Sequence, residues 1–338
     1  MKDTPDKVVM LGHGSGGRLT QALIRDIFAR HFANPILEAM GDSASLDPIE
    51  GRLAFTTDGF VVSPLFFPGG DIGRLAVNGT VNDLAVAGAV PLHLSAAFVL
   101  EEGFSFADLE RVAVSMAEAA RQAKVQVVTG DTKVVERGHG DGVFVTTAGI
   151  GRLRGEGPPG AKAVEQGDVI VVSGPIGDHG AVIAASRSGI EPKELKSDCG
   201  PVAALVESIF AAGVRPRFMR DPTRGGLATV LSELAEEAGV TIALREADLP
   251  VREAVRGVCD ILGLDPLYLA CEGRLAAAVA PGDAEAAVRA MQALPEGSMA
   301  CVIGEARARA AGPVVLATRY GGTRLYDMLA SEQLPRIC

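Results

Sequence analysis

Apolar residues recur along this chain with two different spacings, and each spacing predicts its own elements. Alternating or short continuous runs predict β structure across 41–66, chiefly from Leu53 onward, and strands over 90–100, 125–129, 143–150, 169–173, 240–244 and 275–280, with shorter ones near 301–304 and 314–317. Spacings of three and four predict helices. Leu19, Leu23, Ile24, Ile27 and Phe28 mark one helical face. Asp71 caps a helix running to Ala87, with Ile72, Leu75, Ala76 and Val86 inward. Ser105 and Asp108 open a third helix, with Leu109, Val112, Met116 and Ala120 on its inner side. Others are expected over 177–188, 202–212, 225–239, 251–262 and 284–294. Strands and helices mix without strict βαβ alternation, so the fold class is α/β of the α+β type, with mixed sheets.

A stretch rich in Gly and Pro (Gly155, Gly157, Pro158, Pro159, Gly160) reads as a linker. It divides the chain into a Gly-rich loop and helix (1–40), a first domain (41–155), a second (156–318) and a tail (319–338). Two domains suit 338 residues. Hydrophobic residues make up 48%, with 41 Gly and no Trp, which fits tight turns and small-residue packing. A net charge of −10 argues against a nucleic acid or an anionic membrane as partner. The polar start and the lack of any long apolar run point to the cytoplasm. The five cysteines are scattered with no C-x-x-C pair, so neither a disulfide framework nor a zinc cluster is expected.

The sequence ends in Pro335-Arg336-Ile337-Cys338. Gly321 and Gly322 loosen the preceding segment, and Leu325, Met328 and Leu329 are spaced for one short amphipathic turn. This stretch reads either as a frayed end or as a mobile arm carrying a group on sulfur. Four aspartates sit at loop or element ends: Asp42, Asp58, Asp83 and Asp221. Each alone reads as a turn residue, but together they suit magnesium, which takes a few carboxylates and shares its other positions with water and phosphate. Lys133, Arg220 and Arg224 are the matching cations, with Lys133 placed just after a strand. Glu272 follows an apolar run and is a candidate base, or else a partner for Arg274; its neighbour Cys271 reads as a buried structural thiol. His13, His93, His139 and His179 have no metal spacing, and His93 reads as packed. No P-loop is present. Gly12, Gly14 and Gly17 match G-x-G-x-x-G, with Glu38 downstream, which keeps a nicotinamide-binding reading open; an anion-binding or closing loop is the broader one.

The strings GHGSGG, GDSASL, TTDGF, NGTVNDLAVAGAVPLHLS, GDTKVV, GPIGDHG, RDPTRGGLATVLSELA and PLYLACEGRL, closed by PRIC, resemble the HypE family of hydrogenase-maturation carbamoyl dehydratases. The resemblance covers essentially the whole chain. It implies a two-domain fold like that of aminoimidazole ribonucleotide synthetase (PurM-like), with dimerisation through the first domain's sheet. It also implies ATP and Mg2+ held by Asp42, Asp58, Asp83 and Asp221, with Asn78, Asp131, Thr132, Lys133 and Arg224 near the nucleotide. Cys338 would receive a carbamoyl group from a HypF-family carbamoyltransferase. Dehydration to a thiocyanate, with Glu272 as base and Lys133 offsetting charge, would follow, and the cyanide would pass to iron on a HypC–HypD scaffold. The alternative keeps the fold but activates a free small molecule with ATP.

Overall fold

The computed structural model of the protein describes residues 7–331 and 333–338. Its first half contributes β1 (Leu53–Phe60), a short hairpin of β2 (Phe66–Phe67) and β3 (Gly70–Asp71), then β4 (Ala89–Glu101), β5 (Gln126–Val135) and β6 (Val143–Leu153). Helical segments α1 (Arg18–Leu23), a π turn (Ile24–Ala29) and α2 (Arg30–Phe32) precede them, and α3 (Ile72–Val86) and α4 (Phe106–Ala123) are interspersed. The long strands form one sheet in the order β1-β6-β4-β5, antiparallel except for β4 with β5.

One face of this sheet is covered by helices. Leu94, Ala96, Phe98 and Leu100 alternate inward along β4, and the Phe98 ring stacks on Phe28 at 4.4 Å. Leu75, Leu109 and Met116 are fully buried, each contributing about 1.5–3 kcal/mol. The Asp71 carboxylate caps α3 as the sequence indicates, accepting from the Gly73 and Arg74 amides at 2.8 and 3.0 Å. The other face is open, and Leu53, Phe55 and Val99 are exposed on it.

The second half contains β7 (Val169–Val172), α5 (Asp178–Arg187), α6 (Ala203–Ala211), β8 (Phe218–Arg220), α7 (Gly226–Ala238) and β9 (Val240–Arg245). It continues through α8 (Glu253–Leu262), β10 (Ala276–Val279), α9 (Ala284–Gln292), β11 (Cys301–Ala308), β12 (Val314–Ala317) and β13 (Thr323–Tyr326). The sheet order is β13-β12-β9-β11-β7-β10-β8, with β9 and β12 parallel and the other neighbours antiparallel. Both sheets are mixed, in agreement with the sequence reading. Val182 and Ile183 of α5, with Val255 and Val258 of α8, are buried in the same cluster as the first sheet's residues. The halves are therefore joined by shared core, and the cleft between them is a built surface.

Three local expectations change. Residues 323–326 pair with β12 as β13, so Leu325 belongs to a strand and is exposed, and the amphipathic turn does not form. The tail proper is the twelve residues after Tyr326. Lys133 lies inside β5, because the strand continues through Gly130 to Val135. Gly12 and Gly14 lie in a 3-10 turn and Glu38 in another, and among the described residues only a single bridge at Val8 precedes the glycines, so the dinucleotide fingerprint lacks its structural context.

Candidate active site

Four acids converge from four elements: Asp58 on β1, Asp83 on α3, Asp221 just after β8 and Glu272 in the turn before β10. Thr80 donates to Asp58 at 2.9 Å and Thr56 donates to Asp83 at 2.8 Å. Burial, then the neighbouring Asp83, raises Asp58 above the usual carboxylate range. The same two causes push Asp221 up to about 7. Glu272 is 2% exposed, and burial followed by Asp221, Asp198 and Asp58 holds it well above the usual range. Arg224 offsets both Asp58 and Glu272. The segment carrying it needs its glycines: Gly225 and Gly226 have φ of 75° and 62°, and a Cβ on Gly226 would lie 2.5 Å from the Leu267 carbonyl oxygen.

Among the described residues no group of three or more His, Cys, Asp or Glu forms a ready metal cage. The crowded negative charge nonetheless fits a cation that takes only a few protein oxygens and shares the rest with phosphate. Asp42 is exposed, between Gly41 and Ser43, which line the cavity described below. Arg220 is paired with Glu233 at 2.6 Å. Arg274 pairs with Asp198 and Asp178, at 3.7 and 3.9 Å, so it is not the partner of Glu272. Cys271 is buried and accepts from the Gly177 amide at 3.2 Å, which makes it structural.

Asp131, Thr132 and Lys133 line the opposite side, on β5. Lys133 is exposed and holds Asp131 at 2.7 Å, which draws the Asp131 carboxyl below its usual range. Gly14 of the Gly-rich turn packs against Val134, where a Cβ would lie 2.5 Å from the backbone nitrogen. Beside them lies a cavity of about 230 Å³ lined by Phe28, Phe32, Met40, Phe98, Asp131 and Thr132. Its apolar walls and polar mouth suit a flat base with a charged extension.

Arg74, Asn78 and Asn82 stand in a column on α3, four residues apart, and grip the loop 197–202. Arg74 donates to the Cys199 carbonyl at 3.0 Å, and the Asn78 amide lies 3.8 Å from Cys199 Sγ. Asn82 donates to the carbonyls of Gly200 and Glu272 at 3.1 and 3.3 Å and accepts from the Val202 amide at 2.8 Å. Asp198 receives the Glu272 and Gly273 amides at 3.2 and 3.1 Å.

The tail is docked in the cleft. The Val61 amide donates to the Cys338 carbonyl at 3.0 Å and the Ser63 amide to the Arg336 carbonyl at 3.3 Å. Arg187 donates to the carbonyls of Pro335 and Arg336, and His179 Nε2 to that of Ile337 at 2.8 Å. Ile337 is 4% exposed, and with Leu329 and Leu334 it closes a small pocket against Gly225, Leu269 and Ala270. Sequence reasoning missed His179, Arg187 and Asp198. Spacing could not reveal them, because they act on backbone groups far away in the chain.

The model of the AIR synthase related protein N-terminal domain matches residues 40–153, and that of the corresponding C-terminal domain matches residues 165–316. The chain is 52% identical to the carbamoyl dehydratase HypE of Rhodobacter capsulatus over 340 residues, covering 98% of this chain and 99% of the relative. It is similar to a crystal structure of the hydrogenase maturation protein HypE in complex with ATP, with a TM-score of 0.94, 46% identity and 97% and 99% of the two chains covered. A crystal structure of a HypE–HypF complex matches with a TM-score of 0.79 and 44% identity, covering 91% of this chain and 100% of that one.

Proposed function

The chain belongs to the HypE family of carbamoyl dehydratases, and from that membership we infer that it dehydrates a carbamoyl group on Cys338 at the expense of ATP. The product, a thiocyanate on the same sulfur, provides cyanide for the iron of [NiFe]-hydrogenase. The observation that carries this reading is the docked tail: Ile337 is buried against Leu269 and Ala270, the residues that lead into Glu272.

A carboxamide oxygen is a poor leaving group, and taking a phosphoryl group from ATP turns it into phosphate. The cavity between Phe28 and Met40 suits the base, which directs the phosphates toward Asp131, Thr132, Lys133 and Arg224. Mg2+ fits Asp58, Asp83 and Asp221, with Asp42 a further candidate ligand, and when bound it offsets charge on the phosphates. Glu272, made strongly basic by burial, takes a proton from the amide nitrogen. Leu329, Leu334 and Ile337 cover the site and keep water from the activated group. The Gly12–Gly17 turn, next to Lys133, is the natural closing element.

The same reading makes a HypF-family carbamoyltransferase the source of the carbamoyl group and a HypC–HypD scaffold the acceptor of the cyanide. It places the protein in the cytoplasm; among the described residues no helix is long and apolar enough to cross a membrane. The domain limits follow the linker: 41–155 binds nucleotide, 156–318 completes the cleft and 319–338 delivers the thiol. The open face of the first sheet, with Phe55 70% exposed, suits a homodimer contact.

Intact mass of the full chain, incubated with a carbamoyl donor system and ATP, is the test. The tail should gain a carbamoyl group and then lose one water. Cys338→Ala should bind nucleotide but form no product. Product formed equally well by Cys338→Ala would favour a synthetase acting on a free small molecule.

A further inference from the structure

Two buried acceptor atoms in the cleft, Asn78 Oδ1 and Glu272 Oε1, have no hydrogen-bond partner among the described residues. Asn78 is fully buried and Glu272 is 2% exposed. Leaving such atoms unsatisfied costs about 1–3 kcal/mol each, so a pair at one place is a strong pointer to a ligand with matching donors.

They lie at one place. Cys199 Sγ is 3.8 Å from the Asn78 amide, and Glu272 is the charge that acts most strongly on that thiol. One turn along α3, Asn82 holds the Glu272 carbonyl at 3.3 Å. Two chains of contacts link the tail to this place. The Ile337 carbonyl accepts from His179, whose Nδ1 lies 2.8 Å from Ser197 Oγ, which in turn accepts from the Cys199 amide at 3.1 Å. Cys338 itself is held by Val61, and the neighbouring Phe60 ring packs where Gly79, beside Asn78, has no side chain.

We propose that Asn78 Oδ1 and Glu272 Oε1 together receive the two N–H groups of the primary carboxamide carried on Cys338, which makes Asn78 a substrate-orienting residue. The inference rests on the dehydratase reading above. A primary carboxamide offers two N–H donors on one nitrogen, and two separate acceptors fix its plane and rotation. This assigns Asn78 to the carboxamide rather than to the nucleotide.

The reaction gives the two acceptors different tasks. The carboxamide oxygen bonds to the γ-phosphorus as the bond from phosphorus to the ADP oxygen breaks. One N–H proton goes to Glu272 and leaves a C=N–H imidate. The C–O bond then breaks with its electron pair going to phosphate, the remaining N–H proton leaves with that phosphate, and the nitrile forms. Asn78 cannot accept a proton, so it holds the second N–H in line while Glu272 removes the first. A second carboxylate in its place would repel Glu272.

The test compares the wild-type chain with Asn78→Leu and Asn78→Asp, each loaded with carbamoyl on Cys338. In Asn78→Leu, ATP affinity by calorimetry and carbamoyl loading should stay within about twofold, while water loss by intact mass slows roughly ten- to hundredfold. Asn78→Asp, which keeps an oxygen at Oδ1 but sets a carboxylate beside Glu272, should be no faster than Asn78→Leu. If Asn78→Leu fails to fold, Asn78→Ala, a good helix former, carries the same expectations. Wild-type water loss in the Leu or Ala variant would overturn the inference. So would a tenfold fall in ATP affinity that accounts for the slower reaction, since that outcome makes Asn78 a phosphate contact. A wild-type chain that never loses water sinks the dehydratase reading instead, and the two failures are distinct.

Discussion

Asp58, Asp83, Asp221 and Glu272 crowd one wall of the cleft with negative charge, and burial and mutual repulsion raise three of them. The last residues of the tail are held quite differently. Four consecutive backbone carbonyls, from Pro335 to Cys338, accept from Arg187, Ser63, His179 and Val61. The acid wall recognises charge on a ligand; the tail dock recognises main chain. Side chains add to it, since Ile337 is buried and Arg336 pairs with Asp141, and all of these groups lie outside the acid wall. Chemistry and delivery can therefore be altered separately.

Glu272→Gln gives the largest effect. The substitution keeps the shape and removes the base, so dehydration should fall by about 10²–10⁴ while the carbamoylated tail accumulates. Protection of residues 335–338 in hydrogen exchange should match the wild-type chain. If protection is lost as well, the acid wall also serves docking and the separation fails.

Arg187→Gln attacks the other side. Arg187 Nε also donates to the Ser63 carbonyl at 2.8 Å, so one guanidinium joins the segment after β1 to the tail. Its loss should raise exchange at residues 335–338 and slow dehydration roughly tenfold, each hydrogen bond to a charged group being worth about 1.5–3 kcal/mol before solvent screening. ATP affinity should not move. A fall in ATP affinity would show that the dock and the nucleotide site are one unit.

Asp221 and Glu272 were legible because an acid beside Pro or Gly marks an element end; Asp58 and Asp83 were expected at element ends too, but lie inside β1 and α3. The strands and helices were legible from their periodicity, except β2, β3, β8 and β13, which are only two to four residues long. Lys133 was misplaced because Gly130 reads as the end of a strand. In the structure Gly130 is needed within β5, where a Cβ would lie 2.3 Å from the Ala96 carbonyl oxygen. The dock was illegible for a different reason: His179 meets a carbonyl 158 residues away, and a carbonyl leaves no trace in residue type.

The smallest effect is a pH dependence confined to the dock. A carbonyl can only accept, so the His179 proton sits on Nε2, and Nδ1 accepts from Ser197. Burial lowers the His179 pKa below its ordinary 6.5, outweighing the Ile337 carbonyl and Asp198, which favour the charged ring; Arg187 opposes it. Above that ordinary value the ring is neutral whether buried or solvated. As pH falls below 6.5, a solvated ring takes up a proton that the buried ring resists, so opening of the structure around His179 becomes easier toward acid. Exchange at residues 335–338 should therefore rise, relative to the intrinsic rate, by a fewfold between about pH 7.5 and pH 5.5. His179→Gln cannot titrate in this range and should flatten that part of the profile. An unchanged profile in His179→Gln would assign the pH effect to the acid wall, and the dock would then not be independent of it.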